Sequence, residues 1–343
     1  MPTIVNIDEF LALSKKHPIL DVRSPEEYEK GSIPNAHNLA LFTNAERAIV
    51  GTAYKQVSRE MAVNKGLEFF GPKMKSLANE AKAIDKGTTF LVHCWRGGMR
   101  SATIAWLLEL YGLKVYILRG GYKAYRKAVL KSFNEDRKLL ILGGRTGAGK
   151  TLILKELREL GEQVIDLERI ANHKGSSFGA LGEKKQPSQE MFENILFMCL
   201  NANDCKRATW IEDESSMIGT KVIPKDFFIR MRNSTVIFID IPFDTRLNYL
   251  IEEYGKFDIL EIEKAIERIK KKLGGQQAKI ALEAIKTGDL KTAFAICLSY
   301  YDKTYDYGIS KRNPESILTQ SFEELNKKEI ARLIILKAMG SKI

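Results

Sequence analysis

The stretch Leu91-Val92-His93-Cys94-Trp95-Arg96-Gly97-Gly98-Met99-Arg100-Ser101 brings a cysteine, a glycine pair and two arginines together. A β-type run, Thr88 to Val92, delivers Cys94 into this loop. The loop opens a helix from Ser101 to Tyr111, with apolar Ile104, Leu107, Leu108 and Tyr111 at i, i+3, i+4 and i+7. Free amides at a helix N-terminus, the helix dipole and nearby Arg96 and Arg100 all favour the charged form of the sulfur. A buried structural cysteine is the alternative, but a glycine pair beside two arginines fits an anion cradle better than a core. Cys94 is therefore expected to be a reactive thiolate, with Trp95, Arg96, Gly97, Gly98 and Met99 forming the loop that leads to Arg100.

A second constellation is Gly144-Arg145-Thr146-Gly147-Ala148-Gly149-Lys150-Thr151, between an apolar strand, Lys138 to Leu142, and a helix, Leu152 to Leu160. This is a Walker A loop in its proper context. Its glycines let backbone amides wrap a di- or triphosphate, Lys150 reaches the terminal phosphate, and the Thr151 hydroxyl can hold a magnesium ion. The strand Thr209 to Glu212 ends in Asp213-Glu214-Ser215, which makes Asp213, with Glu212, the candidate acid or metal-side carboxylate. Asp240, at the end of the strand Val236 to Ile241, stays open for the same role. The polar, glycine-rich loop Asn172 to Gly179 offers His173, Ser176 and Ser177 to a substrate at the carboxyl edge of the sheet.

The elements around these loops alternate strand and helix, which points to α/β domains with parallel sheets. Asp8 to Ser14 is a short helix, and Ile19 to Val22 a buried strand ending at Arg23. Ser24 as N-cap, Pro25 at the first helical position and Glu27 in a capping box start the next helix. Gly31 to Ala36 turns into a strand from His37 to Leu41, and a charged, mostly helical insertion fills Phe42 to Lys86. After the Cys94 helix, Lys114 to Leu118 is a strand and Arg119 to Tyr125 opens the closing helix. The polar segment Lys131 to Arg137 divides the chain into domains 1–130 and 131–343. Gln163 to Leu167 is a strand of the second domain and Gln189 to Asn201 a helix. From Asp244 the chain reads as helical, ending in a helix to Ala338 capped by Ser321 with Glu324.

With 343 residues, 44% of them hydrophobic, the chain is long enough for two such domains. No run reaches membrane-spanning length, no signal peptide pattern opens the sequence, and four irregularly spaced cysteines suggest no disulfide framework. A reducing cytoplasm is the expected compartment, with Cys199, Cys205 and Cys297 in the core. Four histidines and no CxxC pair argue against structural zinc. A net charge of +11 favours a polyanion such as RNA. The run Glu267 to Gly275 is a candidate RNA backbone contact or a solvated helix face, and Tyr300 to Tyr307 could stack bases or seal the domain.

The run Asp21-Val22-Arg23-Ser24-Pro25-Glu26-Glu27-Tyr28, with Gly31-Ser32-Ile33-Pro34-Asn35-Ala36 and the later cysteine loop, resembles the rhodanese domain. Many rhodanese loops are one residue shorter between cysteine and arginine. His93-Cys94, five residues and Arg100 also match the signature of cysteine phosphatases. Both use a thiolate under a ring of amides, and the upstream segments favour chalcogen transfer.

The rhodanese-like and P-loop domains follow one another. Glu46-Arg47 through Lys55-Gln56, the Cys94 loop, Phe192-Glu193-Asn194, His173 through Gly179 and Trp210 through Ser215 join Arg246, Glu253-Tyr254 and Tyr300-Tyr301-Asp302. This order of motifs resembles the bacterial tRNA 2-selenouridine synthase family. The stretch after Tyr254 is shorter than in that family's pattern.

The resemblance implies replacement of sulfur by selenium at wobble 2-thiouridine of tRNA. The donors would be geranyl diphosphate, for an S-geranylated intermediate, and selenophosphate, with no tightly bound cofactor. It casts Cys94 and Arg100 as catalytic, Trp95 to Met99 as a chalcogen loop, and Gly144 to Thr151 as the diphosphate cradle. Competing readings are a P-loop kinase or ATPase coupled to a sulfurtransferase, a cysteine phosphatase, and a non-enzymatic adaptor for thiolated tRNA.

Overall fold

The computed structural model describes residues 2–340. Its chain divides into two compact α/β units. The first runs to Phe133 and takes in Glu193–Phe197, and the second begins at Asn134 and resumes after that segment.

The first unit is built on five strands, β1 (Thr3–Val5), β2 (Ile19–Asp21), β3 (Ala36–Asn38), β4 (Thr89–His93) and β5 (Lys114–Leu118), in the order β1-β5-β4-β2-β3. Every pairing is parallel, and Phe90, Leu91 and Val92 of β4 are fully buried, as central parallel strands require. Against the sheet packs the helix Met99–Leu110, whose Ile104, Leu107 and Leu108 join Leu20, Val92 and Ile117 in one core. Tyr111, the fourth member of that apolar series, is 41% exposed because the helix has ended and its backbone has left helical geometry. The insertion is helical as read: Asn44–Gln56, Arg59–Phe70 and Met74–Ile84.

The second unit has β6 (Leu139–Gly143), β7 (Gln163–Ile165), β8 (Thr209–Glu212), a small antiparallel ribbon of β9 (Met217–Ile218) and β10 (Lys221–Val222), then β11 (Thr235–Asp240) and β12 (Ile317–Ser321). Its main sheet, ordered β12-β11-β6-β8-β7, is parallel throughout. The C-terminal part is helical as expected apart from β12, a strand the sequence reading missed, which pairs with β11 from Val236–Ile317 to Asp240–Ser321. Ile317-Leu318-Thr319-Gln320-Ser321 is a half-buried edge strand, so it lacks the apolar run that betrays a central one. Ser321 thus sits in a strand. The last helix is Lys327–Gly340, and Asn326 Oδ1 accepts the Glu329 N–H at its start (3.3 Å).

The strand expected to run to Leu167 stops at Ile165, where the Asp166 carboxylate accepts the Arg169 N–H (2.8 Å) and caps the short helix Leu167–Ala171. Helices Phe243–Tyr254, Ile259–Leu273, Gly275–Lys286 and Leu290–Ile309 share a separate core containing Leu250, Ile266, Phe294 and Leu298. Ile262, Ala265, Ile266 and Ile269 form the buried stripe of the basic helix and leave Arg268 and Lys270 to Lys272 exposed. Cys297 is buried and Cys199 half-buried. Cys205 is exposed, contrary to expectation, because it lies in a turn beyond the helix Gln189–Ala202.

Candidate functional site

Cys94 follows the carboxyl end of β4 directly and is 3% exposed. Its Sγ accepts the Gly98 N–H (3.4 Å) and lies 3.3 Å from Ser101 Oγ, whose hydroxyl also donates to the Gly98 carbonyl (2.9 Å). Burial works against a thiolate here. The Ser101 hydroxyl and amide, followed by the Gly98 and Arg96 amides, outweigh it and hold the thiol below its ordinary range. The loop is tied to the start of the helix Gly121–Ser132, where Tyr122 N–H donates to the Cys94 carbonyl (2.8 Å) and Lys123 N–H to that of Trp95 (3.0 Å). This contact needs Gly121, at φ +59°, since a Cβ there would sit 2.4 Å from the Cys94 carbonyl oxygen.

Behind the loop, Asp21 at the end of β2 is buried beside His93 and binds Arg23 through paired contacts of 2.9 and 2.5 Å. The Arg23 guanidinium stacks 3.8 Å from the Tyr122 ring centroid. His93 is fully buried with neither ring nitrogen hydrogen-bonded to the protein, and burial keeps it neutral against the pull of Asp21. Asn194 belongs to this unit and bridges the Ser32 carbonyl and Tyr122 hydroxyl, both at 2.8 Å, while accepting from Arg126.

Arg100 does not reach for the sulfur. It forms a two-pronged pair with Glu27, at 2.6 and 3.3 Å, and the other expected cation, Arg96, contributes through its backbone amide. Trp95 and Met99 are exposed at the loop surface.

In the second unit the loop Gly144 to Thr151 joins β6 to the helix Lys150–Glu159. Gly147 and Gly149 take φ of +81° and +71°, the left-handed geometry that lets successive amides face one point. Lys150 Nζ donates to the Gly144 carbonyl (2.9 Å), and Thr151 Oγ1 donates to Glu168 (2.8 Å). Arg246, 3% exposed, braces the loop. It donates to the Thr146 carbonyl (3.0 Å) and grips Asp302 through both nitrogens, at 2.8 and 2.7 Å. Arg145 pairs outward with Asp240 (2.8 Å) and Asp306 (2.9 Å).

The phosphate loop forms one wall of a cavity of about 1090 Å³, whose other walls include Glu214, Tyr249, Tyr254, Arg268, Tyr301 and Tyr305. His173, Ser176 and Ser177 line it too. Ser177 N–H donates to the Tyr301 hydroxyl (2.9 Å) and its Oγ to the Ala265 carbonyl (2.5 Å). Asp213 is buried and engaged by Arg312 (2.5 Å), Arg232 (3.7 Å) and the Tyr305 hydroxyl (2.9 Å). Asp240 is taken up by Arg145, so the carboxylate beside Thr151 is Glu168 instead. Glu212 is buried and accepts the Glu168 N–H (2.7 Å). Burial raises the affinities of Glu168, Glu212 and Glu214 for a proton; repulsion from Asp166 and Glu168 adds to it at Glu212 and from Glu168 at Glu214, while Lys150 opposes it at Glu168 and Glu214. Among the described residues no group of three or more His, Cys, Asp or Glu side chains is arranged to hold a metal ion.

Sequence reasoning did not single out Glu27 as the partner of Arg100, nor Glu168, Glu214 and Tyr305. Glu27 carried a signal only as a capping residue. Glu168 stood in the mixed segment Ile165-Asp166-Leu167-Glu168-Arg169-Ile170, where nothing distinguishes it from the neighbouring charges Asp166 and Arg169.

With this geometry in place, comparison with known proteins places both units. Residues 6–128 match the rhodanese-like domain family, and residues 137–332 match the family described as the tRNA 2-selenouridine synthase AAA domain. Among relatives, the tRNA 2-selenouridine synthase of Proteus mirabilis (strain HI4320) is 34% identical over 92% of this chain and 95% of its own. That of Nitrosomonas europaea is 37% identical over 73% of this chain and 67% of its own. That of Shewanella denitrificans is 32% identical over 90% and 93%.

Proposed function

The chain belongs to the tRNA 2-selenouridine synthase family, and from that premise we propose that it exchanges sulfur for selenium in wobble-position 2-thiouridine of tRNA, with the two steps divided between its two loops. In the first, the thiocarbonyl sulfur attacks C1 of geranyl diphosphate, the carbon–oxygen bond breaks and diphosphate leaves. In the second, the selenium of selenophosphate attacks C2 of the base, the alkylated sulfur departs as geranylthiol, and water then cleaves the phosphorus–selenium bond to release phosphate and the 2-seleno base. Alkylation turns a poor leaving group into a good one, which is why the first step precedes the second.

The observation that carries the reading is the phosphate loop opening on a cavity of about 1090 Å³ that Tyr249, Tyr254, Tyr300, Tyr301 and Tyr305 help to line. Diphosphate would lie against the loop amides and Lys150, which stabilise the charge that develops as it leaves. The prenyl chain would lie along Tyr249, Leu250, Tyr254 and Tyr301. Thr151 Oγ1 and the Glu168 carboxylate are an oxygen donor pair suited to magnesium, which would supply further charge neutralisation. Cys94 would position the selenium donor, with the Ser101 hydroxyl and the loop amides offsetting negative charge beside the sulfur. Exposed Arg268 and Lys270 to Lys272 are proposed contacts to the RNA backbone. No helix among the described residues is long and apolar enough to cross a membrane, and the proposed compartment is the cytoplasm, where a thiolate survives.

The test is to incubate Cys94→Ser and Lys150→Ala with thiolated tRNA and each donor, digest the RNA and weigh the nucleosides. Cys94→Ser should still yield S-geranyl product but no selenonucleoside. Lys150→Ala should lose S-alkylation by a transition-state cost of about 2–4 kcal/mol. Robust RNA-stimulated ATP turnover by the unaltered protein, without use of the prenyl donor, would replace this reading with the P-loop ATPase one.

A further inference from the structure

The cavity beside the phosphate loop adjoins a small apolar hollow of about 10 Å³, enough for no more than about one water molecule. Phe178, Leu250, Tyr254, Phe294, Cys297 and Leu298 line the hollow, and Leu250 and Tyr254 line the larger cavity as well. Leu250 stands directly against the phosphate loop, since a Cβ on Gly147 would meet its Cγ at 3.2 Å. An apolar path therefore begins where the diphosphate would lie. It ends on three buried rings: Phe178 packs on Phe294 and Tyr254 with centroids 5.5 and 5.7 Å apart, and Tyr254 lies 6.4 Å from Phe294. Elsewhere the cavity wall carries charge, at Glu183, Lys184, Lys185, Arg268 and Lys272, and offers a hydrocarbon little.

The helix Leu290–Ile309 measures the path. One nitrogen of Arg246 meets both the Thr146 carbonyl (3.0 Å) and Asp302 (2.8 Å), so the phosphate loop stands beside Asp302 on this helix. Phe294 lies eight positions earlier, roughly 12 Å along the axis. An extended ten-carbon prenyl chain spans roughly 9 Å and a fifteen-carbon chain roughly 14 Å, from carbon–carbon bonds of about 1.5 Å. The shorter chain reaches the rings and the longer one runs into them.

We infer that Phe178, Tyr254 and Phe294 form a stop that sets the length of the prenyl donor, admitting a ten-carbon chain and refusing a fifteen-carbon one. The inference rests on the prenyl-transfer reading and adds to it the residues that choose the donor. A fifteen-carbon chain must either push a ring out of a closely packed core or lay its last isoprene unit against charged walls, and neither is offset by the added apolar contact.

The test is a competition in which the full-length chain receives thiolated tRNA with equal geranyl and farnesyl diphosphate, and the two S-prenyl nucleosides are quantified by mass after digestion. The unaltered protein should favour geranyl by about ten-fold or more. Phe294→Ala should raise the farnesyl-to-geranyl product ratio by about ten-fold or more. Phe294→Leu and Phe178→Leu, which keep more of the core volume, should move it the same way by about three-fold. These two decide the matter where Phe294→Ala fails to fold. Ile285→Ala hollows the same helical core but lines neither space, and should leave the ratio within about two-fold of the unaltered value.

Equal use of both donors by the unaltered protein would overturn the inference. So would a ratio unmoved by the variants at the stop, or the same gain in Ile285→Ala. Failure of the prenyl-transfer reading looks different: the unaltered protein would then form no S-prenyl product from either donor, and the inference would fall with it.

Discussion

Ser101→Ala should raise the pKa of the Cys94 thiol by about one pH unit. The sulfur has two direct hydrogen-bond partners, the Ser101 hydroxyl at 3.3 Å and the Gly98 amide at 3.4 Å. In the thiolate the Ser101 proton points at sulfur. In the thiol it can turn to the Gly98 carbonyl, 2.9 Å away, so the bond to sulfur favours the charged form selectively. A hydrogen bond to a charged group contributes about 1.5 kcal/mol or more, and 1.36 kcal/mol corresponds to one pKa unit. The Ser101 amide remains in the variant, which limits the effect to the hydroxyl alone.

The sign follows from the state stabilised. The native thiol is lowered from its usual value, so the thiolate is populated at lower pH than in a free cysteine, and the variant returns that population toward the alkaline side. Thiolate ultraviolet absorbance, recorded against pH and corrected with Cys94→Ser, measures the midpoint directly without needing reagent access to a buried sulfur. An unchanged midpoint would refute the reasoning, since it would mean that the hydroxyl proton stays on the Gly98 carbonyl in both states.

Other expectations follow from the same contacts. Arg246→Leu strands Asp302 and frees the Thr146 carbonyl, so thermal or urea denaturation should show a loss of about 3 kcal/mol, with prenyl-diphosphate binding falling alongside. His93 is held neutral by burial, its proton affinity lowered, so the unfolded chain binds the proton first and stability should decline as pH falls through about 6.5. His93→Phe removes that titration and no hydrogen bond. Its urea midpoint should therefore lose less than the unaltered protein's between about pH 7.5 and about pH 5.5. Tyr301→Phe leaves the Ser177 N–H without its acceptor, costing about 1 kcal/mol of loop order, and should raise the KM for the prenyl donor several-fold with kcat little changed.

Much of this architecture was legible because its signals are local. Lys114 to Leu118 and Thr209 to Glu212 read as strands at their observed bounds, being short apolar runs between turn residues. The phosphate loop announces itself through glycines whose positive φ no other residue adopts cheaply. Ile317–Ser321 escaped because an edge strand shares its faces with solvent and so mixes polar with apolar residues. Long-range charge pairing escaped as well. Arg100 and Glu27 are 73 positions apart, and nothing in local spacing says which acid meets which base. Asp213 illustrates the same limit: its place at a strand end was plain, but its engagement by Arg312, 99 residues later, was not.

The late edge strand bears on how the protein is made. β12 closes the sheet that β6 begins, and Ile330, Ala331 and Ile334 of the last helix fill the core beside Ile153, Leu154 and Leu157 of the phosphate-loop helix. Leu325 also rests against Gly149, leaving no room for a Cβ there. A ribosome that has released the phosphate loop must therefore still synthesise well over a hundred residues before the groups that support it arrive. During that interval an unpaired edge of β11 and an apolar helix face stand open to other chains. The phosphate loop is thus fully supported only late in synthesis, and a nascent chain stalled short of β12 would expose surfaces that chaperones recognise.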